Sequence, residues 1–160
     1  MASTLSVLNA ARLAFYDNRP TALMIMTSSW STPNNVASPL ATAPWNGTQI
    51  DNWGGHSNTT NNSRYTIQVA GVYQVSALMT WTTNGTGVRE ADLQKNGSAF
   101  AGSVAVSQVS AAQFCSVQLP AYNIACNVGD YIEVGGYQNS GAALNTVVGG
   151  CYFSVTYLHP

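Results

Sequence analysis

Six carboxylates, two imidazoles and three thiols are all that the chain offers for acid–base, nucleophilic or metal chemistry. The acids are Asp17, Asp51, Asp92, Asp130, Glu90 and Glu133, and the histidines are His56 and His159. Glu90 and Asp92 stand two apart in an alternating stretch, which puts both on one face of a strand and Arg89 on the other. That spacing predicts a surface or interface salt link in preference to a catalytic pair. Asp130 falls in the turn Asn127-Val-Gly-Asp130, where a carboxylate accepts backbone N–H bonds. His56 sits in a Gly-rich loop with Asp51 five residues before it. It either hydrogen-bonds to hold that loop, meets a neighbouring subunit, or joins Trp53 in a ligand loop. Two potential ligands do not define a metal site. No H-x-x-x-H, C-x-x-C or P-loop spacing occurs, and no Ser or Thr has a His–Asp pair arranged to activate it. No catalytic, cofactor or metal residue is therefore assigned, no cofactor is expected, and the chain is expected not to be an enzyme.

The composition points the same way. Charged residues make up 7% of the 160, against a usual ~25%. Hydrophobic residues make up 46% and mean hydropathy is +0.02, too apolar for a disordered chain. The polar surface must be built from Asn, Thr, Ser, Gln and Gly, and such a surface meets other protein at little desolvation cost. It is the surface of a subunit. The basic residues Arg12, Arg19, Arg64, Arg89 and Lys95 are scattered, so no stripe exists to track phosphates and nucleic acid is excluded as the main ligand. No stretch approaches ~20 apolar residues, so no membrane insertion is expected. The first twenty residues lack the basic start and apolar run of a signal peptide, which predicts a protein made in the cytoplasm and not exported through a signal peptide. The sequons at Asn46, Asn58, Asn61, Asn84 and Asn96 then reflect the Asn/Thr bias alone. Cys115, Cys126 and Cys151 alternate with apolar neighbours and read as buried free thiols.

These residues must be positioned by strands. Residues 3–16 are the one helical stretch, capped by Ser3 or Thr4, with Leu5, Leu8, Ala11 and Phe15 near one face. A helix this short needs something to lie against, either the domain or a partner. From Thr21 the period becomes two, starting with a short strand at Leu23–Met26. Residues 28–53, with Pro33, Pro39 and Pro44, read as loop or edge chain wrapped on the surface, and 53–63 as a second polar loop. Strands follow at 65–69 and 73–81, at 88–94 into the hairpin Lys95-Asn96-Gly97, and then at about 102–107, 114–119, 131–137 and 151–158. Short strands with regular turns and no interleaved helix predict an all-β sandwich or barrel. The last strand is apolar on both faces, with Cys151, Phe153, Val155 and Tyr157 on one and Tyr152 and Leu158 on the other, so both should be covered. A central strand or a subunit interface would do this.

Taken in order, Gly71-Val-Tyr73, Leu93-Gln-Lys95-Asn96-Gly97, Val128-Gly129-Asp130-Tyr-Ile-Glu-Val134 and Phe153-Ser-Val-Thr-Tyr-Leu158 resemble the C1q/TNF-like jelly roll. The resemblance spans roughly residues 45–158 and implies a sandwich that forms compact homotrimers. The run Asp51 to Arg64, followed by Tyr73 and Thr86-Gly87-Val88-Arg89, is similar to the C1q-like modules of tailed-bacteriophage virion proteins. Those modules occur as head decorations, head fibres and minor tail proteins. The resemblance implies a jelly-roll domain over 21–160 with an attachment arm over 1–20, and a non-enzymatic, trimeric accessory protein bound to a capsid or tail protein of the virion. Leu5, Leu8, Arg12 and Phe15 would carry the attachment, and Tyr131, Tyr152, Tyr157 and Leu158 the trimer contacts. The alternative on the same fold is an adhesin that binds a host-surface receptor or glycan. Trp30, Trp45, Trp53 and Tyr137 would then stack on sugars, where otherwise they anchor the proline-rich loops.

Overall fold

The computed structural model describes residues 4–36 and 40–160, and for residues 4–6, 10, 11, 16 and 17 the backbone alone. In chain order the elements are α1 (Thr4–Asp17), β1 (Thr21–Ile25), β2 (Ser31–Thr32), β3 (Ala41–Thr42), β4 (Gly47–Asp51), β5 (Arg64–Thr66), β6 (Gly71–Trp81) and β7 (Val88–Lys95). There follow β8 (Ser98–Ala99), β9 (Ala105–Gln108), β10 (Cys115–Cys126), β11 (Tyr131–Gln138), β12 (Leu144–Asn145) and β13 (Tyr152–His159).

Two antiparallel sheets face each other. One runs β10-β6-β13-β1-β4; the other runs β3-β11-β7-β8, with β5 also on β11 and β9 also on β7. Chain-adjacent long strands alternate between sheets: β5 lies in the second, β6 in the first, β7 in the second, β10 in the first and β11 in the second. The last strand, β13, lies between the first, β1, and β6 in the five-stranded sheet. The two-residue period does the sorting. In β6 it sends Tyr73, Val75, Ala77, Met79 and Trp81 inward, in β13 Phe153, Val155 and Tyr157, and in β7 Ala91 and Leu93.

One segment meets the edge alternative of the sequence reading and another differs from that reading. Within 28–53, expected as wrapped loop or edge chain, β4 completes the five-stranded sheet at its edge beside β1. The strand expected to stop at Leu119 runs on through Pro120 to Cys126. Leu119 pairs with Ala77 and Tyr122 with Val75, so Pro120–Ala121 forms a bulge. β10 is an edge strand, where a missing N–H and an extra residue are tolerated.

Glu90 and Asp92 share a face of β7 with Arg89 on the other, as their spacing requires, and neither acid pairs with a cation among the described residues of the chain. Arg89 points into the core, fully buried, and donates through Nη1 to the carbonyls of Thr86 and Val88 and through Nη2 to that of Asn84. Burial lowers its pKa. Asp92 lies on the other face, under the segment that carries Leu40, and accepts from Gln94 Nε2 at 3.2 Å. Gly135 of the neighbouring strand leaves it room: a Cβ there would stand 2.1 Å from Asp92 Oδ1.

Candidate functional site

The outer face of the five-stranded sheet carries apolar residues with no charged neighbour in β1, β6 or β13. Its inward residues being fixed, Leu23, Ile25, Leu78, Tyr152 and Leu158 point outward and are half-buried by their neighbours alone. All but Leu158, which stands at the far end of β13 beyond Ser154 and Thr156, form a contiguous band. Ile25 stands opposite Tyr152, Tyr152 opposite Leu78, and Leu78 opposite Gln118. Leu23 faces Ile50, which is 47% exposed. Gln118 Nε2 donates to Tyr152 Oη at 2.9 Å and to the carbonyls of Ala77 and Leu119, so the one amide in the band is held flat on the sheet. Gln74, Ser76, Ser154 and Thr156 surround the band, and none of these residues is charged.

The four residues expected at the trimer contact do not share a surface. Tyr152 and Leu158 lie on this face. Tyr131 lies on the opposite sheet, its ring covered by the Arg64 guanidinium at 3.9 Å from the centroid. Tyr157 is corrected to a core residue: it is 1% exposed, edge-on to Tyr73 at 5.3 Å and to Phe15 at 5.3 Å. Strand alternation puts it with Phe153 and Val155, and the aromatic cluster completes its burial.

α1 touches the domain through its last turn. Phe15 stands edge-on to Tyr157 and, at 6.0 Å, to Trp53. Trp53 Nε1 donates to the Asn18 carbonyl at 2.6 Å, and Asn52 Nδ2 to the Arg19 carbonyl at 2.8 Å. Of the other residues expected to attach, Arg12 is exposed and Leu8 is 61% exposed, while the Leu5 side chain lies outside the described residues. Val7 and Leu13 are exposed as well. Phe15 thus clamps one end of α1 to the domain, while Val7, Leu8 and Leu13 stand exposed among its described side chains.

The Trp53–His56 loop is built by its own hydrogen bonds. Asp51 accepts from the backbone N–H groups of Gly55 (3.1 Å) and His56 (2.9 Å). The His56 ring places Nδ1 2.9 Å from the Arg64 carbonyl and Nε2 2.9 Å from the Trp45 carbonyl. Both ring nitrogens thus meet backbone oxygens, and none is turned to a ligand. The polar hollow beside it, about 290 Å³, is lined by His56, Arg64, Thr66 and Gln68. Trp45 is a core residue against Phe153, at 5.7 Å. Trp30 is half-buried, and Tyr137 Oη donates to Asn35 Oδ1 at 2.9 Å. These rings anchor loops.

Asp130 does what its turn predicts. It accepts from the Asn127 N–H at 2.8 Å and from Asn96 Nδ2 at 2.8 Å, and pairs with Lys95 Nζ at 2.9 Å. These bonds, the Asn127 one foremost, hold its carboxyl down at about 2. The three cysteines are free and buried. Burial pushes the Cys126 thiol up to about 11 and raises that of Cys151, which keeps both protonated and unreactive. Among the described residues no three His, Cys, Asp or Glu side chains stand close enough to share a metal ion, and no helix is long and apolar enough to cross a membrane.

No family profile matches the sequence, and no curated protein does. Solved structures do match. The globular domain of zebrafish complement 1qA protein superposes with a TM-score of 0.65 at 11% identity, covering 88% of this chain and 98% of that one. Murine APRIL superposes with 0.63 at 14% identity, covering 88% and 99%. The fold is a C1q/TNF-like jelly roll. In this jelly roll the uncharged band lies on the sheet formed by β10, β6, β13, β1 and β4, and α1 leads directly into β1 of that sheet. One residue that the sequence reading passed over also stands out. Phe114, 60% exposed, borders a groove at the end of the sandwich away from α1. Alternation was its signal, because Cys115, Val117 and Leu119 face inward and Phe114 must face out.

Proposed function

We propose that this jelly roll is a non-enzymatic homotrimer that serves as an accessory protein on a bacteriophage particle, held there by α1. One observation carries the reading: the outer face of the five-stranded sheet joins Leu23, Ile25, Ile50, Leu78 and Tyr152 into an apolar band without a charge. An exposed band of this kind is a liability for a monomer and an asset for an assembly. A threefold contact is heterologous, so the band of one copy meets a different edge of the next. An obligate contact of this kind buries over ~2,000 Å². The exposed Val7, Leu8 and Leu13 of α1 support the attachment role, and three such helices on one trimer bind with avidity. The likeness of the Asp51–Arg64 run to phage virion modules supports the setting. A second reading, an adhesin for a host-surface receptor or glycan, is favoured by the exposed Phe114 at the opposite end.

Sedimentation velocity at micromolar concentration tests the trimer. The chain should sediment as a trimer, and Leu78→Arg should give folded monomers. A folded wild-type monomer under those conditions overturns the proposal. Deleting residues 2–19 separates the readings. Loading onto particles should vanish while the trimer survives, whereas an adhesin would keep its binding to cells.

A further inference from the structure

Register places four segments at the end of the sandwich away from α1. Ile25 pairs with Tyr152, Trp81 with Cys115, Val88 with Gln108 and Arg89 with Gln138, so the connections beyond these pairs share one end. They comprise residues 26–36, 82–88, 109–114 and 139–150, and not one of these residues is charged. The other end holds Arg19, Asp51, Arg64, Lys95, Asp130 and His159. In a chain with so few charges, this division leaves one end able to offer a ligand only hydroxyls, amides and apolar surface.

We propose that this end carries a subsite for a neutral saccharide, with Phe114 as the stacking platform and Thr83 and Gln113 as hydrogen-bonding flanks. The groove between Thr83 and residues 112–114 measures about 510 Å³, within the range of small-molecule sites, roughly 300–1,000 Å³. Phe114 is 60% exposed at its rim, and an aromatic face beside an amide and a hydroxyl matches the apolar C–H face and polar rim of a pyranose ring. An ionic ligand would meet no exposed counter-charge there, because the nearby Arg89 guanidinium is buried and engaged by three backbone carbonyls. The groove is also preformed. Gly85 lies so near the other wall that a Cβ on it would stand 2.9 Å from Ala111 Cβ, so the two loops pack backbone against backbone. Beneath the 82–88 loop, the buried Arg89 guanidinium gathers the carbonyls of Asn84, Thr86 and Val88, and Asn139 Oδ1 accepts the Val88 N–H at 2.7 Å. A wall fixed before binding loses little entropy on binding. A single stacking subsite of this size binds on the order of millimolar. Three copies on one trimer would raise the apparent affinity for a dense glycan surface by roughly 10²–10⁴.

The test is a ¹H–¹⁵N TROSY titration of the intact chain with maltotriose, the N-acetylglucosamine trisaccharide and lactose, each to ~50 mM. At least one should shift the Thr83, Gln113 and Phe114 amides saturably, and Phe114→Ala should weaken it tenfold or more with the oligomeric state unchanged. Absence of a saturable shift at those amides with all three sugars overturns the proposal. So does dissociation of the oligomer by Phe114→Ala, which would place the ring in a subunit contact. Neither α1 nor a particle enters the measurement, so its failure leaves the attachment reading untouched.

Discussion

Asp92 gives the sandwich a pH dependence that one substitution should abolish. Its carboxylate is 2% exposed beneath the segment carrying Leu40, and burial, aided by the nearby Glu90 charge, pushes its pKa from 3.8 up to about 6. Gln94 Nε2 and the Gly135 backbone donate to it and offset part of that cost. A carboxyl whose pKa is raised by folding favours the folded state while protonated. Its contribution is complete below about pH 4, falls as pH rises towards about 6, and is then lost. At about 1.4 kcal/mol per pH unit, the interval from 3.8 to about 6 corresponds to about 3 kcal/mol. Asp92→Asn keeps the oxygen that Gln94 binds and carries no charge at any pH. Urea denaturation at fixed protein concentration, run from about pH 4 to neutrality, should show the variant gaining on the wild type by up to about 3 kcal/mol across that window. Parallel stability curves, with a difference constant to about 0.5 kcal/mol, would refute the assignment.

Three further outcomes follow from other contacts. Either neutral tautomer of the imidazole has one N–H to give, so His56→Ala leaves one of the Arg64 and Trp45 carbonyls without its donor; at about 1–3 kcal/mol for one unsatisfied buried group, equilibrium denaturation should show a loss in that range. Asp130→Ala unfastens the 95–97 hairpin from the 127–130 turn, so thermal melts should shift down. The depressed carboxyl supplies stability above its ordinary range that is lost as pH falls towards about 2, so the gap between variant and wild type should close on acidification. Phe15→Ala removes the ring that seats α1 on Tyr157 and Trp53; hydrogen exchange should show the amides of residues 8–14 losing protection while those of β13 keep theirs.

The frame of the fold was legible because its longest strands carry an uninterrupted two-residue period. Tyr73 to Trp81 and Cys151 to Tyr157 name their inward residues without any structure. β4 was legible only as one of two alternatives, loop or edge, since Gly47-Thr-Gln-Ile-Asp51 follows Pro44 and has Ile50 as its lone large apolar residue; it becomes a strand because β1 offers an open edge. Pro120 misled for a related reason, because a proline ends a central strand but only bulges an edge. At the candidate surfaces, the local pattern told which face of a strand a residue takes but not which sheet the strand joins. Hence Tyr152 and Tyr131 look equivalent in sequence and lie on opposite sheets. Glu90 and Asp92 share a face, as their spacing requires, yet the chain around Leu40 folds over Asp92 from some fifty residues away, and no local pattern announces that.

The uncharged band also makes the proposed trimer distinguishable from one held by ion pairs. Contacts between charges weaken as salt is added, since the screening length falls to about 3 Å at ~1 M. Apolar contacts do not weaken, and salts excluded from protein surfaces strengthen them. Leu23, Ile25, Ile50, Leu78 and Tyr152 supply no charge to screen, and the two ion pairs among the described residues, Arg64–Glu133 and Lys95–Asp130, join β5 to β11 and the 95–97 hairpin to the 127–130 turn within one chain. The trimer dissociation constant, measured by sedimentation from low salt to ~1 M sodium chloride, should therefore stay level or fall. A rise of tenfold or more would mean that charges cross the subunit boundary, and those charges must come from somewhere other than this face.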